Sequence, residues 1–191
     1  MTELYSDEYS WTQYILQSII YPLLPRFNKS SINFAIHHGI SRELVTPKKF
    51  ESDFKTSEFK GKKCPLIAFD PKIADKETEI TFFYFHGGAY VMNSNPFHFD
   101  FIVKVMKETG RPCSLLFADY PLAPDVAHEA LFDSIYNMYL ENVKSRPNQK
   151  IVIMGDSAGG GISLILAQRI AAAKKNGRFL VNTSYLLYLS T

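Results

Sequence analysis

From Cys64 onward the chain alternates between short apolar runs and segments whose apolar residues recur every three or four positions. The runs are CPLIAF from Cys64, ITFFYF from Ile80 to Phe85, CSLLFAD from Cys113 to Asp119, KIVIMG from Lys150 to Gly155, and SYLLYLS from Ser184 to Ser190. Runs this apolar predict strands covered on both faces, as in a parallel sheet. Helical stretches separate the last four of them. Asn95-Pro96 opens the first helix, an N-cap followed by proline at the first helical position; Phe99, Ile102, Val103 and Met106 form its apolar stripe, and Gly110 stops it. The second places Leu131, Ile135, Met138 and Tyr139 on one face and ends before Pro147; the third runs from Ala158 to a Lys175-Asn176-Gly177 stop. This order predicts βαβ units, hence an α/β fold with a mostly parallel sheet flanked by helices.

The first sixty residues keep a different rhythm. Trp11 to Tyr21 and Ile32 to Leu44 have helical spacing, and a charged loop is expected from Lys48 to Lys63. Residues 1–60 are therefore expected to form a helical cap or lid, and residues 61–191 the α/β domain. The apolar segment from Trp11 to Phe27 is too short for a membrane span and is interrupted by Gln17, Pro22 and Pro25. It reads as an amphipathic cover, with association to a lipid surface as the alternative. Glu3, Asp7 and Glu8 stand where a signal peptide would carry positive charge, so no signal peptide is expected.

Composition narrows the function classes. At 191 residues, 46% of them hydrophobic, the chain can bury a real core. Its 21 basic and 19 acidic residues are interspersed, so neither a nucleic-acid-binding face nor a polybasic lipid-binding tail is expected. Cys64 and Cys113 have no metal-ligand or redox spacing and read as buried free thiols, which suits a reducing compartment. No metal and no organic cofactor is implied.

Candidate chemistry sits at MGDSAGGG, Met154 to Gly161. A serine hydroxyl attacks a carbonyl poorly unless it is presented on a tight turn, deprotonated by a base and matched by donors for the oxyanion it creates. Gly155-Asp156-Ser157-Ala158-Gly159 fits G-x-S-x-G between a predicted strand and a predicted helix. There the glycines let two backbones pass closely while Ser157 takes a strained conformation. The Ala158 N–H then lies in the first helical turn, where unpaired donors and the dipole favour negative charge. Upstream, FHGGAY closes the ITFFYF strand, and the N–H groups of Gly88 and Ala89 could point at the same oxyanion.

HGGAY, then DYPLAPD (Asp119 to Asp125), then GDSAGGG, in this order and on these elements, resemble the hormone-sensitive-lipase-like branch of the α/β-hydrolases. That branch includes arylacetamide deacetylases, fungal steryl acetyl hydrolases and bacterial carboxylesterases. The resemblance covers about Cys64 to Thr191. It implies the α/β-hydrolase fold, with Ser157 as nucleophile, Gly88, Ala89 and Ala158 as oxyanion donors, and His86, Gly87, Gly155, Asp156 and Gly159 as supporting motif residues. Three positions depart from the usual pattern. Ala89 stands for a third glycine, a mild change because the donor is a backbone N–H; Pro121 and Asp125 replace an arginine and a glutamate.

The resemblance also implies a triad in chain order Ser, then Asp or Glu, then His, on loops after later strands. The residues after Ser157 contain no Asp, Glu or His. The chain is accordingly expected to stop before those loops and to be inactive as it stands. His37, His38, His86, His98 and His128 are expected to have structural or surface roles. The function that the resemblance implies is hydrolysis of small, neutral, apolar carboxylic esters, sterol or aryl acetates among them. Tyr90, Phe97 and Phe99 suit such a substrate, and suit core packing equally well. The alternatives are a non-catalytic protein that keeps the pocket for binding, a fragment without function, and an arylformamidase, which shares H-G-G and G-x-S-x-G. Fungal relatives suggest an endoplasmic-reticulum or lipid-surface association beside a cytoplasmic one, and no residue selects an oligomeric state.

Overall fold

The computed structural model describes residues 53–59, 66–72, 78–175 and 184–189. The expected cap helices and Cys64 lie outside them. Six strands are described: β1 (Phe54–Phe59), β2 (Leu66–Pro71), β3 (Ile80–Phe85), β4 (Cys113–Ala118), β5 (Lys150–Asp156) and β6 (Ser184–Leu189). Helix α1 (Pro96–Glu108) joins β3 to β4, α2 (His128–Lys144) joins β4 to β5, and α3 (Ala158–Lys175) lies between β5 and β6. The sheet order is β1-β2-β4-β3-β5-β6. Strands β4, β3, β5 and β6 are mutually parallel, while β2 runs antiparallel to both β1 and β4.

Strand alternation sorts side chains onto two covered faces. Phe83 and Phe85 of β3, Leu116 of β4, and Ile151 and Ile153 of β5 join Leu131, Ile135, Ile162 and Leu166 of α2 and α3 in one core. The intervening residues Phe82, Tyr84, Leu115, Phe117 and Met154 turn the other way, onto Phe99, Ile102, Val103 and Met106 of α1. All six residues of β4 are buried, as a strand with helices on both faces requires. Phe99 stacks on Phe117 with centroids 4.1 Å apart. Burying each such ring stabilises by roughly 1.5–3 kcal/mol.

The expected signals that end the helices are seen at α1. Asn95 Oδ1 accepts the Phe97 N–H at 2.9 Å, proline follows, and the chain turns at Gly110 with φ +64°. Helix α2 has no side-chain cap at Ala127.

One expectation needs correction. The charged loop foreseen through Lys48 to Lys63 contains β1, which pairs with β2 from Phe54↔Pro71 to Phe59↔Leu66. An edge strand needs little apolar surface when its backbone is paired on one side. Here Phe54 is buried edge-to-face against Phe69, while Lys55 and Ser57 are exposed.

Candidate active site

Strands β3 and β5 are neighbours, yet the chain leaves them in opposite directions, from β3 towards β4 and from β5 towards β6. Beyond their carboxyl ends the two exits leave a crevice, the usual ligand position in an open α/β sheet. The last β3–β5 pair is Phe85↔Gly155. His86 to Tyr90 lead out of β3, and Ser157 leads out of β5.

Ser157 is exposed and has φ +48°, a left-handed conformation that costs a non-glycine residue about 1–2 kcal/mol. The glycines on either side are there for space. A Cβ at Gly159 would overlap the carbonyl of Phe85, and one at Gly155 would overlap that of Gly159, so α3 can begin flush against the end of β3. Two residues further on, a Cβ at Gly161 would lie 2.8 Å from the Tyr90 hydroxyl, which packs across the first turn of α3.

The opposite lip of the crevice is a strained turn. Gly88 has φ +124°, Ala89 +52° and Tyr90 +63°, and the N–H groups of Val91 and Met92 both donate to Gly88 O, at 3.0 and 2.9 Å. The DYPLAPD segment braces both ends of this turn. Tyr120 Oη donates to His86 O at 2.7 Å, and Ala123 N–H donates to Tyr90 O at 2.8 Å. Among the described residues the N–H groups of Gly88, Ala89 and Ala158 have no partner within the protein. Ala89 stands at a positive φ that glycine would adopt freely.

Asp156 connects the two lips. Its Oδ1 accepts hydrogen bonds from Tyr84 Oη at 2.5 Å and from Gly87 N–H at 3.0 Å, and its Oδ2 lies 3.6 Å from His98 Nε2. Burial raises the carboxyl pKa, but the contacts from His98, Tyr84 and Gly87 outweigh it and leave it below the ordinary value. Tyr84 is shifted the opposite way: burial, and then the adjacent carboxylate, raise its hydroxyl pKa.

Two of the three described histidines are held by hydrogen bonds or stacking. His86 is fully buried, stacked on Tyr120 at 4.4 Å, and its Nδ1 donates to Gly87 O at 2.7 Å. Its Nε2 has no partner among the described residues, and burial pushes its pKa down to about 4. His98 Nδ1 accepts the Asn95 N–H at 3.0 Å. His128 is exposed beside Glu129. His37 and His38 lie outside the described residues. The sequence reading gave Asp156 only as a supporting motif residue and missed its approach to His98. The available signal was Asn95-Pro-Phe-His98, which has the spacing of a capping box with histidine in place of glutamate.

A separate cavity of about 390 Å³ opens at the amino end of the sheet, lined by Asp53, Phe54, Met106, Gly110 and Cys113 among others. It lies at the opposite end from Ser157. Cys113 is buried there as a free thiol, and burial raises its pKa.

A family model described as alpha/beta hydrolase fold matches residues 82–189. The chain is 35% identical over 109 residues to Carboxylesterase/phospholipase LipF of Mycobacterium tuberculosis, a match covering 56% of this chain and 28% of that protein. It is 29% identical over 94 residues to human Hormone-sensitive lipase, covering 47% of this chain and 9% of that one. The chain thus spans under a third of the length of these curated relatives. Among solved structures, carboxyl esterase 2 of Tuber melanosporum superposes with a TM-score of 0.56 at 18% identity, covering 89% of this chain and 55% of that one. A Rhizomucor miehei esterase superposes with a TM-score of 0.53 at 22% identity, covering 95% and 54%. Both structural likenesses concern the fold.

Proposed function

The chain belongs to the alpha/beta hydrolase fold family, and from that membership we propose that it carries the nucleophile and oxyanion half of a carboxylic-ester hydrolase. The observation that carries this reading is Ser157, an exposed residue held at φ +48° between a strand and a helix, directly after the Asp156 whose carboxylate accepts the Gly87 N–H of a second strained turn. Strain of this kind persists where function maintains it. Ser157 attacks the acyl carbon, Gly88, Ala89 and Ala158 donate to the resulting oxyanion, the ester C–O bond breaks as the alcohol leaves with the proton lost by the serine, and water then hydrolyses the acyl-enzyme to the carboxylic acid. The names of the relatives, carboxylesterase and lipase, favour ester substrates, while Phe99, one of the aromatics offered for an apolar substrate, is spent in the core against Phe117.

The lone pair of His98 is taken by the Asn95 N–H, His86 is buried in a stack with Tyr120, and His128 lies beside Glu129, so we place acid and base outside the described residues. The 191 residues alone should retain only the roughly 10³–10⁴-fold advantage over water that donors and pocket provide. A fluorophosphonate should label Ser157 slowly or not at all; rapid stoichiometric labelling would make one of the chain's own histidines the base. In any form of the protein that hydrolyses a short-chain aryl ester, Ser157→Ala should lower kcat on the order of a million-fold. Turnover within about tenfold of the parent would remove Ser157 from the role. The engaged histidines equally suit a non-catalytic binding protein, and ester turnover that is lost in Ser157→Ala separates the two.

A further inference from the structure

We infer that Asp156 is a positioning residue whose carboxylate clamps the Gly87–Ala89 turn to the Ser157 turn, fixing the free donors of the two lips relative to each other. Its use in catalysis rests on the esterase reading above; the clamp itself does not. One carboxylate joins β3 through Tyr84, the turn through Gly87, α1 through His98, and β5 through its own backbone. The glycine at position 87 follows from this. Its φ lies outside the left-handed region, so no conformational demand explains it, but a Cβ there would overlap Asp156 Oδ2.

His98 is oriented by its other nitrogen. Because Nδ1 accepts the Asn95 N–H, the neutral ring carries its proton on Nε2, which faces Asp156. The single lone pair of neutral His98 is therefore occupied by a helix cap, so an Asp–His pair one residue from the serine is not a base for it. The same tautomer makes asparagine a poor substitute at 156. An amide oxygen could still accept from Tyr84 and Gly87, but its NH₂ would then meet the Nε2–H, donor against donor.

The groups facing Asp156 that can titrate are Tyr84 from β3, His86 from the turn and His98 from α1. The folded Asp156 pKa is lower than the unfolded one, so the clamp is complete above the unfolded value of 3.8 and is lost as pH falls through the depressed folded value.

Site-resolved amide exchange on the full chain, corrected for intrinsic rates, tests the clamp. The Gly87 amide should be protected in the parent and lose protection by about 10- to 100-fold in Asp156→Ala, while Phe82–Phe85 and Ile151–Ile153 keep theirs. Asp156→Asn should cost nearly as much with His98 present, and several-fold less in His98→Phe, a non-additive cycle. Nitrogen chemical shifts should report the Nε2–H tautomer of His98. Where the alanine variant does not fold, the parent's own pH titration decides, with protection retained at pH 5 and falling below the unfolded carboxyl pKa. Unchanged Gly87 exchange, equal losses throughout the sheet, an additive cycle, an Nδ1–H tautomer or a flat pH profile would each overturn the inference. In an ester-hydrolysing form, Asp156→Ala should lower kcat at little-changed KM. Absence of turnover in a form that supplies an acid and a histidine after Ser157 would sink the esterase reading and leave the exchange result standing.

Discussion

At the amino end of the sheet, α1 passes into β4 through Gly110, whose φ is +64° and whose missing Cβ would meet nothing within 4 Å. At the carboxyl end the left-handed conformations of Ala89, Tyr90 and Ser157 are taken by residues with side chains, while Gly155 and Gly159 keep ordinary φ and are glycines because backbone crowds them. The first turn uses glycine for conformation and has room to spare. The second reverses both assignments everywhere except at Gly88, which has φ +124°. Left-handed residues with a Cβ cost about 1–2 kcal/mol each, so three of them place several kcal/mol of strain at the crevice. Tyr120, Ala123 and Asp156 hold that strain in place from two sides.

The contrast breaks first at Gly159. Alanine there should cost about 3 kcal/mol or more, because the obstacle is the Phe85 carbonyl and backbone cannot give way as a flexible side chain can. Urea melts within about 1 kcal/mol of the parent would mean that crowding is not why the position is glycine. Gly110→Ala should cost only about 1 kcal/mol, all of it conformational, and should leave the crevice unchanged in site-resolved exchange. The smallest effect is expected at Ala89→Gly. Relief of the positive φ is offset by the greater freedom of the unfolded chain, leaving a change within about 0.5 kcal/mol. A loss above about 1 kcal/mol would show that the alanine methyl contributes packing at the turn.

Sequence made the parallel core legible for a physical reason: strands buried on both faces must be apolar throughout, and ITFFYF, CSLLFA and KIVIMG announce themselves. The Asn95-Pro96 start, the α1 stripe and the G-x-S-x-G turn are equally local, each set by a few neighbouring residues. Strand β1 was hidden because an edge strand needs one buried anchor, Phe54, and otherwise reads as charged loop. The Asp156 clamp was hidden because its partners Tyr84, Gly87 and His98 come from other elements, and only the β3–β5 pairing brings them together. Spacing showed that position 87 is glycine; a carboxylate distant in the chain explains why.

The order in which the motifs leave the ribosome is the reverse of the order in which they can be secured. Parallel ladders cannot close through a short turn; each waits for a crossover, which places such topologies among slower folders. The turn at Gly88 is synthesised first, yet its braces arrive later, Tyr120 and Ala123 after β4 and Asp156 only at the end of β5. At roughly 5–20 residues per second, the turn waits on the order of ten seconds for the carboxylate that fixes it. During biogenesis the crevice is therefore assembled late, its two lips meeting when β5 docks beside β3.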